Sequence, residues 1–63
     1  MQEYKQRIVS EKKELDQKIG RLAAFLDGET AATVSVEEIE RMKRQFEIMK
    51  EYSQILAERI AAF

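Results

Sequence analysis

Residues 36–63, VEEIERMKRQFEIMKEYSQILAERIAAF, carry apolar side chains in alternating steps of three and four residues. The repeat consists of Ile39, Met42, Phe46, Met49, Leu56, Ile60 and Phe63, and Ser53 occupies its one remaining position. Because an α-helix has about 3.6 residues per turn, this spacing places all of these side chains on one face. The pattern predicts an amphipathic helix over residues 36–62 whose apolar stripe is buried against another helix.

The residues just before this stripe form a helix-start signal. Ser35 is followed three residues later by Glu38, which is the spacing of a capping box. We expect the Ser35 hydroxyl to accept a hydrogen bond from the Glu38 amide. The Glu38 carboxylate is expected to accept one from the Ser35 amide in return.

A second helix is predicted over residues 3–27. Its main apolar positions share one face and are Tyr4, Ile8, Leu15, Ile19, Leu22 and Leu26. Gly28 follows directly and predicts a helix end with a glycine in the left-handed conformation. Gly20 lies inside this helix, either as a tolerated solvent-side glycine or as a point of close approach by a neighbouring helix or ligand.

The two predicted helices are nearly equal in length and are separated by a short connector, residues 29–34. Matched amphipathic helices with a short connection pack as an antiparallel hairpin. We therefore predict an all-α fold in which residues 1–63 form a single domain. In this alignment, Tyr4 approaches Ile60 and Phe63.

One hairpin does not cover all the apolar residues of the second helix. Ile48, Tyr52 and Ile55 form a second stripe beside the first. In a single hairpin this stripe would be an exposed apolar patch, which usually marks an interaction site. The second stripe predicts a homo-oligomer, most simply two hairpins forming a four-helix bundle with these three residues at the interface.

The composition excludes several classes of function. The chain has neither cysteine nor histidine, so it lacks the usual metal ligands and the commonest general base. No nucleophile–base pair or glycine-rich phosphate loop is present. We therefore expect a protein that is not an enzyme and needs no metal or cofactor. Its 11 basic and 12 acidic residues give a net charge of −1, which argues against binding to polymeric nucleic acid.

The apolar runs are too short for a membrane segment. The longest is residues 22–26, whereas a membrane-spanning helix needs about 20 apolar residues. The first residues, MQEYK, contain no apolar core of a secretory signal. We expect a cytoplasmic protein that does not associate with a membrane.

Five polar or aromatic residues are candidates for binding a ligand or a partner: Tyr4, Glu11, Lys18, Tyr52 and Arg59. The first three lie seven residues apart along one edge of the first helix, and the last two lie seven apart on the second stripe. Tyrosine can stack on a base, and lysine or arginine can bind phosphate. Two structural alternatives remain. Glu11 could form a polar layer with Ser53 that sets the helix register, and Tyr52 could fill an oligomer core while Arg59 pairs with a surface acid.

The pattern Arg7-Ile8-Val9-x-Glu11-Lys12-x-Glu14-Leu15-Asp16-x-Lys18-Ile19, with Leu22-x-x-Phe25-Leu26 and Met49-Lys50-x-Tyr52-x-x-Ile55-Leu56-x-x-Arg59-Ile60, covers almost the whole chain. It resembles a family of small phage-encoded helical hairpins found in tailed phages and prophages, including relatives of crAss-like phages. Most of these letters are core and helix-surface residues. Hairpin proteins that sequester cyclic dinucleotides are similar in architecture only, and no residue roles are carried over from them.

The resemblance implies an accessory role in the cytoplasm of a bacterial host, by counter-defence or host takeover. Two mechanisms are compatible with the residues. In the first, oligomer grooves sequester a small anionic nucleotide such as a cyclic nucleotide immune signal. In the second, an exposed helix face docks on a host or phage protein and inhibits or scaffolds it.

Overall fold

The computed structural model describes residues 2–63, and every regular element in that range is helical. Helix α1 spans Gln2–Leu26, a 3₁₀ helix spans Glu29–Thr33, and helix α2 spans Val36–Ala61. The two long helices pack against each other. Tyr4, near the start of α1, contacts Arg59, near the end of α2, so the pair is antiparallel as predicted.

Half of the predicted capping box forms at the start of α2. The Glu38 amide donates to the Ser35 hydroxyl over 3.2 Å, and Ser35 has the extended backbone of an N-cap residue. Such a cap stabilises a helix by about 1 kcal/mol. The reciprocal bond is absent from the described part of the chain. The Glu38 carboxylate instead pairs with Arg41 at 2.9 Å, because Arg41 lies one turn further along the same face.

Gly28 does not adopt the left-handed conformation that we predicted. Its φ of −99° and ψ of 175° are extended, and the chain passes through it into the 3₁₀ helix. A Cβ atom at this position would lie only 3.2 Å from the Ala24 carbonyl oxygen. Close backbone packing, not an unusual φ, therefore favours glycine here.

The core of the hairpin is thin. Among residues 3–63, three apolar residues are buried, namely Ile8, Leu15 and Leu56, and of these Leu56 is wholly inaccessible to solvent. Ile19, Met49 and Ile60 pack around them and remain partly exposed. All six belong to the apolar faces that the sequence predicted for the two helices, one face on each helix.

The surface of the molecule is large for its size. The chain exposes 5,043 Å². A compact protein of its mass, 7.4 kDa, exposes about 4,200 Å². Its extents are 46 × 15 × 13 Å and its radius of gyration is 14.5 Å, against about 11 Å for a compact chain of this length. A single hairpin is thus a rod, not a globule.

No helix among residues 2–63 is long and apolar enough to cross a membrane.

Gly20 is exposed, and an added Cβ atom would meet no atom within 4 Å. This favours the solvent-side reading of Gly20 over close approach by the other helix. We predict that Gly20→Ala raises the free energy of unfolding by about 0.5–1 kcal/mol, because alanine loses less backbone entropy in a helix. Thermal unfolding followed by circular dichroism measures the change.

Gly28→Ala serves as the matched control. Its new methyl group would press against the Ala24 carbonyl oxygen, so this variant should be no more stable than the wild type. A Gly20→Ala variant that melts at a lower temperature would show instead that a neighbouring molecule approaches Gly20 closely.

Candidate ligand-binding face

A hydrogen bond joins the two helices at the open end of the hairpin. The Arg59 guanidinium donates from Nη2 to the Tyr4 hydroxyl oxygen over 2.9 Å. The Tyr4 ring also lies beside Phe63, with ring centroids 6.0 Å apart and the planes tilted by 52°. The predicted approach of Tyr4 to Phe63 is confirmed.

This bond places the predicted binding residues on one side of the hairpin. Glu11 and Lys18 follow Tyr4 at intervals of seven along α1, and Tyr52 precedes Arg59 by seven along α2. Residues seven apart lie nearly in line on a helix. Because Tyr4 and Arg59 are in contact, the two rows lie on the same side of the seam, which is the line along which α1 and α2 pack. We call this side, with Tyr4, Glu11, Lys18, Tyr52, Arg59 and the neighbouring Ile48 and Ile55, the aromatic face.

The aromatic face carries most of the exposed apolar surface. Ile48, Tyr52 and Ile55 are exposed to 65%, 42% and 54%, respectively, and Tyr4 is exposed as well. The second stripe is therefore uncovered in the single hairpin, as predicted. The opposite side has fewer such residues, with Val9 on α1 as the clearest example.

The charges on this face are incompletely paired. Neither Lys18 nor Arg59 lies within ion-pair distance of a carboxylate in the described residues. Arg59 has a neutral phenol as its side-chain partner. Glu11 is half-buried and makes no side-chain hydrogen bond within residues 3–63. The face thus offers two cations without a carboxylate partner among the described residues, and one of them, Arg59, contacts an aromatic side chain.

The predicted polar layer of Glu11 with Ser53 does not form, because Ser53 bonds to two other residues of α1. Buried Ser53 donates to Asp16 Oδ1 over 2.6 Å and accepts from Lys12 Nζ over 3.0 Å. Lys12 also pairs with Asp16 at 2.7 Å. Lys12 lies where the two helices pack, and Asp16 lies on the side opposite the aromatic face, so both reach Ser53. Glu11 lies on the side of the aromatic face and does not reach it. We call Lys12, Asp16 and Ser53 the polar cluster.

The polar cluster affects the titration of its carboxylate. The hydrogen bond from Lys12 lowers the pKa of Asp16, and the hydrogen bond from Ser53 lowers it further. Both contacts favour the ionised form. Every buried side-chain nitrogen or oxygen among the described residues has a hydrogen-bond partner. The cluster is therefore a satisfied structural element that fixes how the helices align.

A single hairpin offers a surface, not an enclosed cavity. The depressions described along it are open to solvent, and the one next to the second stripe is lined by residues of α2 alone, including Gln45, Ile48 and Met49. No group of three or more carboxylates among the described residues could hold a metal ion. A ligand enclosed on the aromatic face would need a second molecule to cover it.

The fold and this face define a small two-helix hairpin protein with one exposed side that is rich in apolar and aromatic residues. The chain belongs to the Sequestin family, whose model matches residues 2–62. No curated protein and no solved structure matches it.

The polar cluster makes stability depend on pH. Because the pKa of Asp16 is lowered in the folded protein, its stabilising effect is complete above the pKa of the unfolded chain, about 3.9. The effect is lost as the pH falls through the lower folded value. We predict that Asp16→Asn is less stable than the wild type at neutral pH and loses less stability on acidification.

Urea unfolding at about pH 7, 4 and 2.5 measures this dependence. Asp27→Asn is the control, since exposed Asp27 makes no side-chain hydrogen bond in the described residues. Equal acid sensitivity of the Asp16 and Asp27 variants would contradict a special role for the cluster.

Proposed function

We propose that this protein is a non-enzymatic binding protein that sequesters a small anionic nucleotide, such as a cyclic nucleotide immune signal. The observation that carries the proposal is the aromatic face, where unpaired Lys18 and Arg59 lie in rows with Tyr4 and Tyr52. Aromatic rings bind bases, and cations bind phosphate. The name of the Sequestin family is consistent with sequestration.

The proposed setting is a phage or prophage, where the protein acts against host defence in the bacterial cytoplasm. The resemblance of the sequence to small phage-encoded hairpins supports this setting. A sequestering protein needs no turnover, because it lowers the free concentration of a signal by binding it in equal amounts.

The proposed binding unit is a homo-oligomer, most simply a four-helix bundle of two hairpins. The surface in excess of that of a compact chain is about 800 Å², which is close to the area that each partner buries in a standard-size interface. Ile48 and Ile55 supply an apolar centre for it, and Tyr52 lies beside them. Packing two aromatic faces together would also enclose the groove that a ligand needs.

A second candidate is a protein-docking module. The exposed residues Ile48 and Ile55 lie about two turns apart on α2, which is a spacing of anchors in helix-in-groove recognition. In this case the aromatic face would pack on a host or phage protein instead of a second copy. The net charge of −1 is compatible with either occupant.

The oligomer is tested by a charge on the second stripe. Ile48→Asp should abolish a rise of melting temperature with protein concentration, because it would bury an unpaired carboxylate in the interface. Val9→Asp is the matched control, since Val9 is exposed to 49% on the opposite side. Analytical ultracentrifugation gives the mass. A wild-type protein that sediments as a monomer at all concentrations would contradict the oligomer.

Nucleotide binding is tested by titration calorimetry with a panel of cyclic mono- and dinucleotides. We expect one or more to bind to the wild type. Lys18→Gln should bind at least about tenfold more weakly, since a charged hydrogen bond contributes about 1.5–3 kcal/mol, and Tyr52→Ala should bind about tenfold more weakly, since stacking of a base on an aromatic ring contributes about 1–3 kcal/mol. Lys43→Gln, which removes a cation from the opposite side of α2, should bind normally. If no nucleotide binds and a specific host protein is captured through Ile48 and Ile55, the docking module replaces this proposal.

A further inference from the structure

We infer that the open end of the hairpin is the phosphate subsite of the proposed nucleotide site, and that Tyr4 positions Arg59 within it. The subsite comprises Tyr4, Lys5, Arg59 and Phe63, which we call the end cluster. Lys5 and Phe63 were not among the binding residues predicted from the sequence. This inference rests on the proposed function and assigns its anion-binding step to particular side chains.

Arg59 differs from the other arginines that make side-chain contacts. Arg41 is neutralised by Glu38 at 2.9 Å, and Arg7 lies 3.7 Å from Glu3. Arg59 instead donates to the Tyr4 hydroxyl at 2.9 Å. A phenol fixes the direction of a guanidinium without cancelling its charge, because its hydroxyl oxygen accepts the hydrogen bond as an uncharged group. The positive charge is therefore oriented and available to an anion.

Phe63 connects this arginine to a second cation. Its ring centroid lies 6.0 Å from that of Tyr4 and 5.6 Å from Lys5 Nζ. Lys5 is not within ion-pair distance of a carboxylate in the described residues. Two unpaired cations and two exposed aromatic rings thus meet at one end of a chain whose net charge is −1.

The same cation-over-ring arrangement occurs elsewhere without the free charge. Lys50 Nζ lies 4.7 Å from the centroid of the Phe46 ring, but it also pairs with Glu47 at 3.2 Å. Lys50 therefore has the geometry of Lys5 and an internal counter-ion. This pair is the natural control for the end cluster.

The end cluster has the chemistry that recognises a phosphorylated nucleoside. A guanidinium can bind two phosphate oxygens at once, and an ammonium adds a point charge. An exposed tyrosine or phenylalanine ring can stack on the base. In this arrangement Arg59 contacts the phosphate, and Tyr4 acts through Arg59 by holding its guanidinium in place.

The experiment compares cyclic di-AMP, AMP, inorganic phosphate and adenosine as probes in titration calorimetry with the full chain. Arg59→Gln should weaken binding of the phosphate-bearing nucleotides at least about tenfold, since hydrogen bonds to charged groups contribute about 1.5–3 kcal/mol. Its affinity for adenosine, which has no phosphate, should stay unchanged. Tyr4→Phe keeps the aromatic ring but loses the hydroxyl group that holds Arg59. It should weaken nucleotide binding about three- to tenfold, which corresponds to the contribution of about one hydrogen bond. Lys50→Gln should bind like the wild type.

Arg59→Lys separates positioning from charge. Arg59→Lys keeps the positive charge but lacks the forked donor group. Tyr4→Phe should therefore weaken nucleotide binding when Arg59 is present, and it should weaken binding little further in the Arg59→Lys variant. Circular dichroism melts of each variant show whether the hairpin is intact.

Each outcome decides the inference. If the wild type binds nucleotides and Arg59→Gln binds them equally well, the end cluster is not the phosphate subsite, although the proposed function stands. If the variant loses adenosine and nucleotide binding in parallel, Arg59 acts on the base or the fold and the inference is wrong. If inorganic phosphate binds through Arg59 but no nucleotide binds, the anion site stands without the proposed function. If no probe binds to the wild type, both proposals fail.

Discussion

Two helices cannot enclose a core, and this constraint governs the whole molecule. Each side chain between the two helices keeps one flank near solvent, so Leu56 alone becomes fully buried among the side chains that the structure describes. An apolar stripe beside the seam then has nothing within the chain to cover it. The exposed Ile48 and Ile55 are thus a direct result of the small number of elements. The two helices are aligned by their packing, and the side of the hairpin with the most exposed apolar residues remains uncovered.

Features set by local spacing could be predicted from the sequence. Local spacing and helix length determine three such features: the apolar faces of the two helices, the N-cap at Ser35, and the antiparallel pairing of Tyr4 with the end of α2. The partners of Ser53 could not be predicted in the same way. They depend on how each helix is rotated about its axis, and a rotation of a fraction of a turn exchanges Glu11 for Lys12.

The candidate site also has features that local spacing predicts and features that depend on how the two helices pack. Seven-residue spacing predicted two rows of binding residues, one on each helix, but it could not show that both rows flank the same side. The contact between Tyr4 and Arg59 supplies that information. Lys5 was missed because nothing in its local sequence distinguishes it from other exposed lysines. Phe63 was assigned to the apolar stripe of the second helix alone, and its contact with Lys5 depends on how the helices pack. Gly28 was misjudged because its crowding by the Ala24 carbonyl is a backbone contact with no sequence signature.

The buried residues are not distributed evenly along the rod. Ile8 and Leu56 lie in the half that is remote from the connector and Leu15 lies at the middle of α1, whereas Leu22, Leu26 and Met42 near the connector stay only half-buried. Local opening requires less free energy where fewer apolar contacts are lost, so the connector half should exchange its amide hydrogens first. The open end, which holds Tyr4 and Arg59, is therefore backed by the more deeply buried part of the hairpin. The hydrogen bond between Tyr4 and Arg59 already restricts both side chains, so a ligand that binds there would remove less of their conformational entropy.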